Sequence, residues 1–125
     1  MATFTREKIM KLVAREEKAY AAMRPRSKEL FERAKKSLVG GVPMSWMRIW
    51  SGGFPVFVKE SEGCTLTDVD GNRYVDFCLG DTGGLFGHAN TIICDAVDAQ
   101  MRKGMTHMLP TEDAIYVGEE LARRF

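Results

Sequence analysis

The sequence has 125 residues, of which 45% are apolar and 28% charged, with a formal net charge of +1. That is enough chain for one domain with a hydrophobic core, and the balanced charge excludes a global field that would recruit nucleic acid or an anionic membrane. Cys64, Cys78 and Cys94 are odd in number and lack a CxxC spacing, which argues for a reducing compartment and against a disulfide framework or a zinc site.

The opening Met1–Glu7 mixes acid and base and has no apolar h-region, so no signal peptide is expected. No apolar run approaches the roughly 18 residues of a membrane span. A cytoplasmic protein is the expectation. Residues 5–23 read as a first helix, with Ile9, Leu12, Val13 and Tyr20 as its apolar stripe and a mixed-charge solvated face opposite. Arg24-Pro25-Arg26 breaks it. Ser27 is the expected N-cap of a second helix, Lys28 to Leu38, whose early acids and late lysines suit the helix dipole. Gly40-Gly41 stops that helix.

Val42 to Gly53 is a loop rich in large side chains, among them Trp46, Met47, Ile49 and Trp50, with Arg48 as the charge between them. From spacing alone the loop covers the core; the sharper reading is a pocket with one cation in an apolar wall. Pro55–Val58 reads as a strand, Glu60–Gly63 as a turn, Cys64–Val69 and Arg73–Phe77 as two more strands. The result is a three-stranded antiparallel meander with Asp70-Gly71-Asn72 at its second turn. Gly80 to His88 holds four glycines in nine residues, a backbone that bends sharply or approaches something closely. Asn90 or Thr91 caps a third helix, Ile92 to Lys103. Thr111 caps a fourth, with Ile115, Gly118, Leu121 and Ala122 expected to face inward. Glu119–Phe125 looks like a helix in progress, and the sequence is expected to stop in mid-architecture.

Generic motifs give little. Counting from Asp68, Gly71 is fourth and Leu79 twelfth, whereas an EF-hand loop needs Gly sixth and Glu twelfth. The glycine-rich stretch matches neither GxxxxGK[ST] nor GxGxxG and follows a meander rather than a βαβ strand. His88 reads as a structural loop histidine with its ring bonded to backbone, and Cys78 as a buried apolar residue. No GxSxG, HExxH or paired-carboxylate signature is present, and no metal site is expected.

Three segments, taken together, carry a resemblance. Ser27–Lys36 through Gly40-Gly41-Val42, Asp68–Phe77, and Leu85–Ala89 with Pro110-Thr111-Glu112 resemble the N-terminal part of the class III pyridoxal-phosphate-dependent aminotransferases, in particular their glutamate-1-semialdehyde 2,1-aminomutase-like members. The resemblance runs from about Ser27 to Phe125, and its specificity lies in the order and distances of the motifs. It implies an α/β protein: the N-terminal segment of the type I pyridoxal-phosphate-dependent transferase fold, helices plus the meander leading into the large domain. The implied division is a helical extension over 1–26, a small-domain segment over 27–88 and the start of the large domain over 89–125.

The resemblance further implies pyridoxal 5'-phosphate as cofactor, an amino acid or keto acid as substrate, a homodimer, and neither nucleic acid nor membrane as partner. Its chemistry needs a lysine that carries the cofactor, an Asp on the pyridinium nitrogen, an aromatic over the ring and a phosphate cup. In the family these lie downstream of the position matching Phe125, so no catalytic residue is expected in this chain, and 125 residues alone are predicted not to transaminate. What carries over is a substrate wall. Arg48 is expected to pair bidentately with a carboxylate, Trp46, Trp50 and Thr82 to line the pocket, and Gly83 and Gly84 to allow close approach to the cofactor. Asp81 stands where the aminomutase carries an aromatic and would disfavour a second carboxylate. Pro43-Met44-Ser45 replaces the usual Asn-Ser-Pro in a loop one residue longer, and Asn90-Thr91 departs from His-Pro. These departures favour an aminotransferase over an aminomutase; a truncated, non-catalytic interaction partner is the reading from outside enzymology.

Overall fold

The computed structural model of the protein describes residues 5–49 and 51–125. They form two compact units, one up to Ala89 and one over Asn90–Phe125, each described separately.

The first unit opens with α1 (Arg6–Met23), whose N-cap Thr5 accepts from the Lys8 N–H. The proline that ends α1 also begins α2 (Pro25–Ala34), with Arg24 as the shared cap. Proline at the first helical position lacks only an N–H that would have no helical partner, and its fixed φ is already helical. Ser27 therefore is not the N-cap. It lies inside the first turn, completely buried.

The cap comes from the meander instead. Asp70 accepts from the Arg26 N–H at 2.7 Å, the Ser27 N–H at 2.9 Å and the Ser27 hydroxyl at 2.8 Å, placing an anion on the positive end of the helix. The Ser27 hydroxyl also accepts from the Phe57 N–H. One buried serine thus joins α2 to both ends of the sheet's first hairpin.

The sheet is an antiparallel meander in the order β1 (Val58–Glu62), β2 (Thr65–Asp68), β3 (Arg73–Val75). Its first turn is tighter and later than expected. Glu62 pairs with Thr65 across Gly63-Cys64, and Gly63 takes φ +55. Pro55, with no N–H for a ladder, stays outside the sheet, and the register slips between Val58 and Glu60. At the second turn Asp68 is fully buried. Its carboxylate accepts from the N–H groups of Asp70 and Asn72, from the Asn72 amide and, at 2.7 Å, from the Tyr74 hydroxyl. Arg24 donates to the Tyr74 hydroxyl and lies 4.2 Å from the Tyr20 ring centroid. Burial raises the Asp68 pKa, but the hydrogen bonds from Asn72, Tyr74 and the turn's N–H groups outweigh it, and the carboxyl stays below its ordinary range.

The apolar core is small. Among the described residues only Val42 and Phe54 are buried hydrophobics. The α1 stripe of Ile9, Leu12 and Val13 remains exposed.

The second unit holds α3 (Thr91–Met101) and α4 (Glu112–Arg124). Asn90 is the cap of α3, its side-chain oxygen accepting from the N–H groups of Ile92 and Ile93. Gly104, at φ +101, follows the helix, and Gln100 donates to its carbonyl. Thr111 caps α4 by position, without a side-chain bond. The residues expected to face inward do not: Ile115, Gly118, Leu121 and Ala122 are all exposed.

Candidate functional site

Two loops of the first unit carry the residues singled out from the sequence. The earlier one begins where α2 ends. Gly40 and Gly41 take φ +70 and +76, a pair of left-handed positions that favours glycine, and the Gly41 N–H closes on the Leu38 carbonyl at 2.9 Å. Ser45–Arg48 then forms a single 3₁₀ turn. It brings Arg48 back across Gly40: a Cβ on Gly40 would stand 2.5 Å from Arg48 Nη1 and 2.8 Å from its Cδ. The neighbouring Gly41 is covered in the same way by the Phe31 ring. Arg48 is exposed and forms no ion pair among the described residues.

Beside this turn lies a cavity of about 450 Å³ lined mainly by apolar side chains, among them Val42, Pro43, Trp46, Met47, Pro55 and Phe57. Its far side is fixed by α1. Tyr20 donates its hydroxyl to the Phe54 carbonyl at 2.7 Å, and its ring lies 5.0 Å from that of Phe54. Gly52, at φ +106, admits the Tyr20 ring where a Cβ would come within 2.6 Å. Trp46 stands on this wall. Trp50 lies outside the described residues.

The second loop runs from Leu79 to Gly87. Leu79, Gly80 and Asp81 take φ +48, +60 and +59 in succession, and two of these are not glycine, a backbone of high energy that surrounding bonds must hold. Asp76 supplies them. One carboxylate oxygen accepts from the N–H groups of Cys78 and Leu79, each at 2.9 Å. The other meets His88 Nε2 at 2.7 Å. The hydrogen bond from His88 is the largest of the influences that hold the Asp76 carboxyl below its usual range; those from Leu79 and Cys78 add to it, and desolvation opposes them.

His88 also exchanges backbone hydrogen bonds with Gly63, at 2.9 and 2.8 Å. Its ring was expected on backbone and is instead on a carboxylate. Cys78 is exposed rather than buried, with its Sγ 3.6 Å from Asp81. Within the loop the Gly84 N–H binds the Leu79 carbonyl at 2.6 Å. A Cβ on Gly84 would come within 2.7 Å of that same oxygen. Asp81, Thr82 and Gly83 are exposed and Gly84 half-buried.

Arg48 and Trp46 thus share one loop, and Asp81, Thr82, Gly83 and Gly84 the other. No hydrogen bond or ion pair joins Arg48 to Asp81 or Thr82. The Asp76–His88 pair and the Tyr20–Gly52 contact had not been singled out. Their partners are 12 and 32 positions apart, and no local pattern signals either. A lysine able to carry a carbonyl cofactor needs a desolvated or otherwise activated amine. All eight lysines here are exposed.

An apolar wall next to an exposed arginine turn, and a strained, glycine-rich loop, are thus carried by a helix pair and a three-stranded meander. The family model "Aminotransferase class-III" matches residues 47–125, and the chain belongs to that family. Glutamate-1-semialdehyde 2,1-aminomutase of Methanocaldococcus jannaschii is 43% identical over 101 residues, covering 79% of this chain and 23% of that protein. The crystal structure of a glutamate-1-semialdehyde aminomutase variant from Pseudomonas aeruginosa in complex with PMP superimposes with TM-score 0.88 at 45% identity, over 94% of this chain and 26% of that one. A transaminase with PLP bound follows at TM-score 0.71 and 30% identity, covering 80% and 23%. The chain therefore spans about a quarter of the length of the relatives it matches.

Proposed function

We propose that this chain supplies one wall of the substrate site of a pyridoxal-phosphate-dependent aminotransferase, which moves an amino group between an amino acid and a keto acid. The carrying observation is Arg48. Its guanidinium has no carboxylate partner among the described residues, and Trp46 and Met47 of the same 3₁₀ turn line the apolar cavity. A guanidinium in that setting suits a planar carboxylate, which it can meet through two parallel hydrogen bonds. The PMP and PLP held by the two structural neighbours support the cofactor. That group, when bound, serves as the electron sink for amino transfer. The residues of this chain do the work of binding and orienting: Arg48 the carboxylate, Trp46 the apolar part of the substrate, and Thr82, Gly83 and Gly84 the narrow side of the site, with Asp81 opposing a second carboxylate.

A homodimer working in the cytoplasm is part of this reading. Exposed apolar side chains such as Phe77 and Leu109 are consistent with further protein surface covering this segment.

The names of the M. jannaschii and P. aeruginosa relatives favour a second reading, an aminomutase that relocates an amino group within one molecule. Product analysis separates the two. Given a 2-amino acid and a keto acid, the holoenzyme of the first reading converts both; an aminomutase isomerises a single amino-carbonyl substrate and needs no keto acid. Failure to bind pyridoxal phosphate, read as the absence of a visible-edge absorbance band, contradicts both.

A further inference from the structure

We propose that Gly40 is a positioning residue for Arg48: the bare Cα of Gly40 is the seat on which the guanidinium rests, and any side chain there moves the cation out of the substrate site. The inference rests on Arg48 as the carboxylate anchor. Its geometry is independent of that role.

Three observations combine. Gly40 holds φ +70 inside the 3₁₀ turn Val39–Gly41. The Ser45–Arg48 turn returns the arginine to that face, at distances where a Cβ would overlap both the Cδ and Nη1 of Arg48. The atoms in the way belong to a flexible exposed side chain and not to the backbone. A methyl group at Gly40 is therefore accommodated by moving Arg48, and the fold keeps its turn. Gly41 is different: its virtual Cβ meets the ring of Phe31, a residue of α2 itself. Of two adjacent glycines with similar φ, one serves packing and the other serves the cation.

The substitution has two consequences that can be told apart. Left-handed φ penalises alanine, and it penalises asparagine less. The collision penalises both, since both carry a Cβ. The test is steady-state kinetics of the holoenzyme carrying Gly40→Ala or Gly40→Asn, with a carboxylate-bearing amino donor and with the matching amine that lacks the carboxylate. Both variants are expected to raise KM for the carboxylate donor roughly tenfold, the size of one lost charge-assisted hydrogen bond, while leaving kcat within about twofold and the amine unaffected.

Added to Arg48→Ala, Gly40→Ala is expected to raise KM no further, because two residues acting through one contact do not add. A full additional increase in that background, or unchanged KM in both Gly40 variants, overturns the proposal. So does loss of folding in both, since the collision would then not be absorbed by the side chain. If Arg48→Ala itself leaves KM unchanged, the carboxylate reading falls and the seat is judged alone, by the rate at which phenylglyoxal labels Arg48. Faster labelling in Gly40→Ala sustains the seat; an unchanged rate removes it.

Discussion

The His88 ring nitrogen lies 2.7 Å from the carboxylate of Asp76, and that single contact joins the two ends of the Leu79–Gly87 loop. Asp76 has already left the β3 ladder, although its N–H still binds the Cys64 carbonyl at 2.7 Å. Both feet of the loop therefore rest on the same Gly63-Cys64 hairpin turn, one through Cys64 and one through the Gly63–His88 backbone pair. The left-handed run at Leu79, Gly80 and Asp81 is held between these feet.

A carboxylate whose pKa is lowered in the folded state contributes stability that is fully present above its unfolded value, and loses it as pH falls through the folded value. Asp76 is such a group, through its bond from His88 first. The stability advantage of the wild-type chain over Asp76→Asn is therefore expected to hold at neutral pH and to shrink below about pH 4, the ordinary aspartate value. Denaturant unfolding of both at a series of pH values measures it. An advantage that grows on acidification would contradict the sign.

Ser27→Ala is expected to cost about 2 kcal/mol. It removes a completely buried hydroxyl that donates to Asp70 and accepts from Phe57, and it leaves the Phe57 N–H without that acceptor. The urea midpoint should fall with the slope unchanged. A change within about 0.5 kcal/mol, as for a surface substitution, would mean that the α2–sheet junction does not depend on it.

Asp68→Ala is expected to be more damaging, about 3 kcal/mol or more, because two N–H groups, an amide and the Tyr74 hydroxyl lose their acceptor in a buried site. Tyr74→Phe, which removes one donor and leaves the carboxylate its other three bonds, is expected to cost about 1 kcal/mol. Thermal unfolding of the two variants gives the order, and the reverse order would contradict the Asp68-centred account.

Tyr20→Phe keeps the ring against Gly52 and Phe54 but loses the hydroxyl bond to the Phe54 carbonyl. It is expected to cost about 1 kcal/mol, against about 3 kcal/mol for Tyr20→Ala, which also empties the ring's place. Equal losses, read from chemical denaturation, would remove the hydroxyl from the tether.

The sequence was most legible where local chemistry dictates local shape. The first helix, the α3 cap at Asn90, one of the two residues expected there, and the antiparallel meander follow from side chains acting within a few residues of themselves, and all three are present. Legibility failed where a long-range partner replaced a local one. Ser27 resembles a cap because it precedes a helical pattern, yet the anion that serves α2 is Asp70, more than forty residues away. The first hairpin turn was set too early because Val56 and Phe57 look like strand residues, while the ladder starts at Val58.

The same holds at the site. The glycine loop stands out by composition, and Arg48 enters as a candidate through the family resemblance. The contacts that hold them, Gly40 under Arg48 and Asp76 against His88, exist only after folding. The apolar faces of α3 and α4 follow the helical period, but their residues are exposed, so periodicity identified the elements without identifying what they pack on.

The central claim is that Arg48 receives the substrate carboxylate. It is tested most directly by comparing KM for a carboxylate-bearing amino donor with KM for the corresponding amine, in the wild-type holoenzyme and in Arg48→Ala. The account predicts that the substitution raises the carboxylate donor's KM by about tenfold to a hundredfold and leaves that of the amine unchanged. Equal changes for the two donors, or none for the carboxylate, would contradict it.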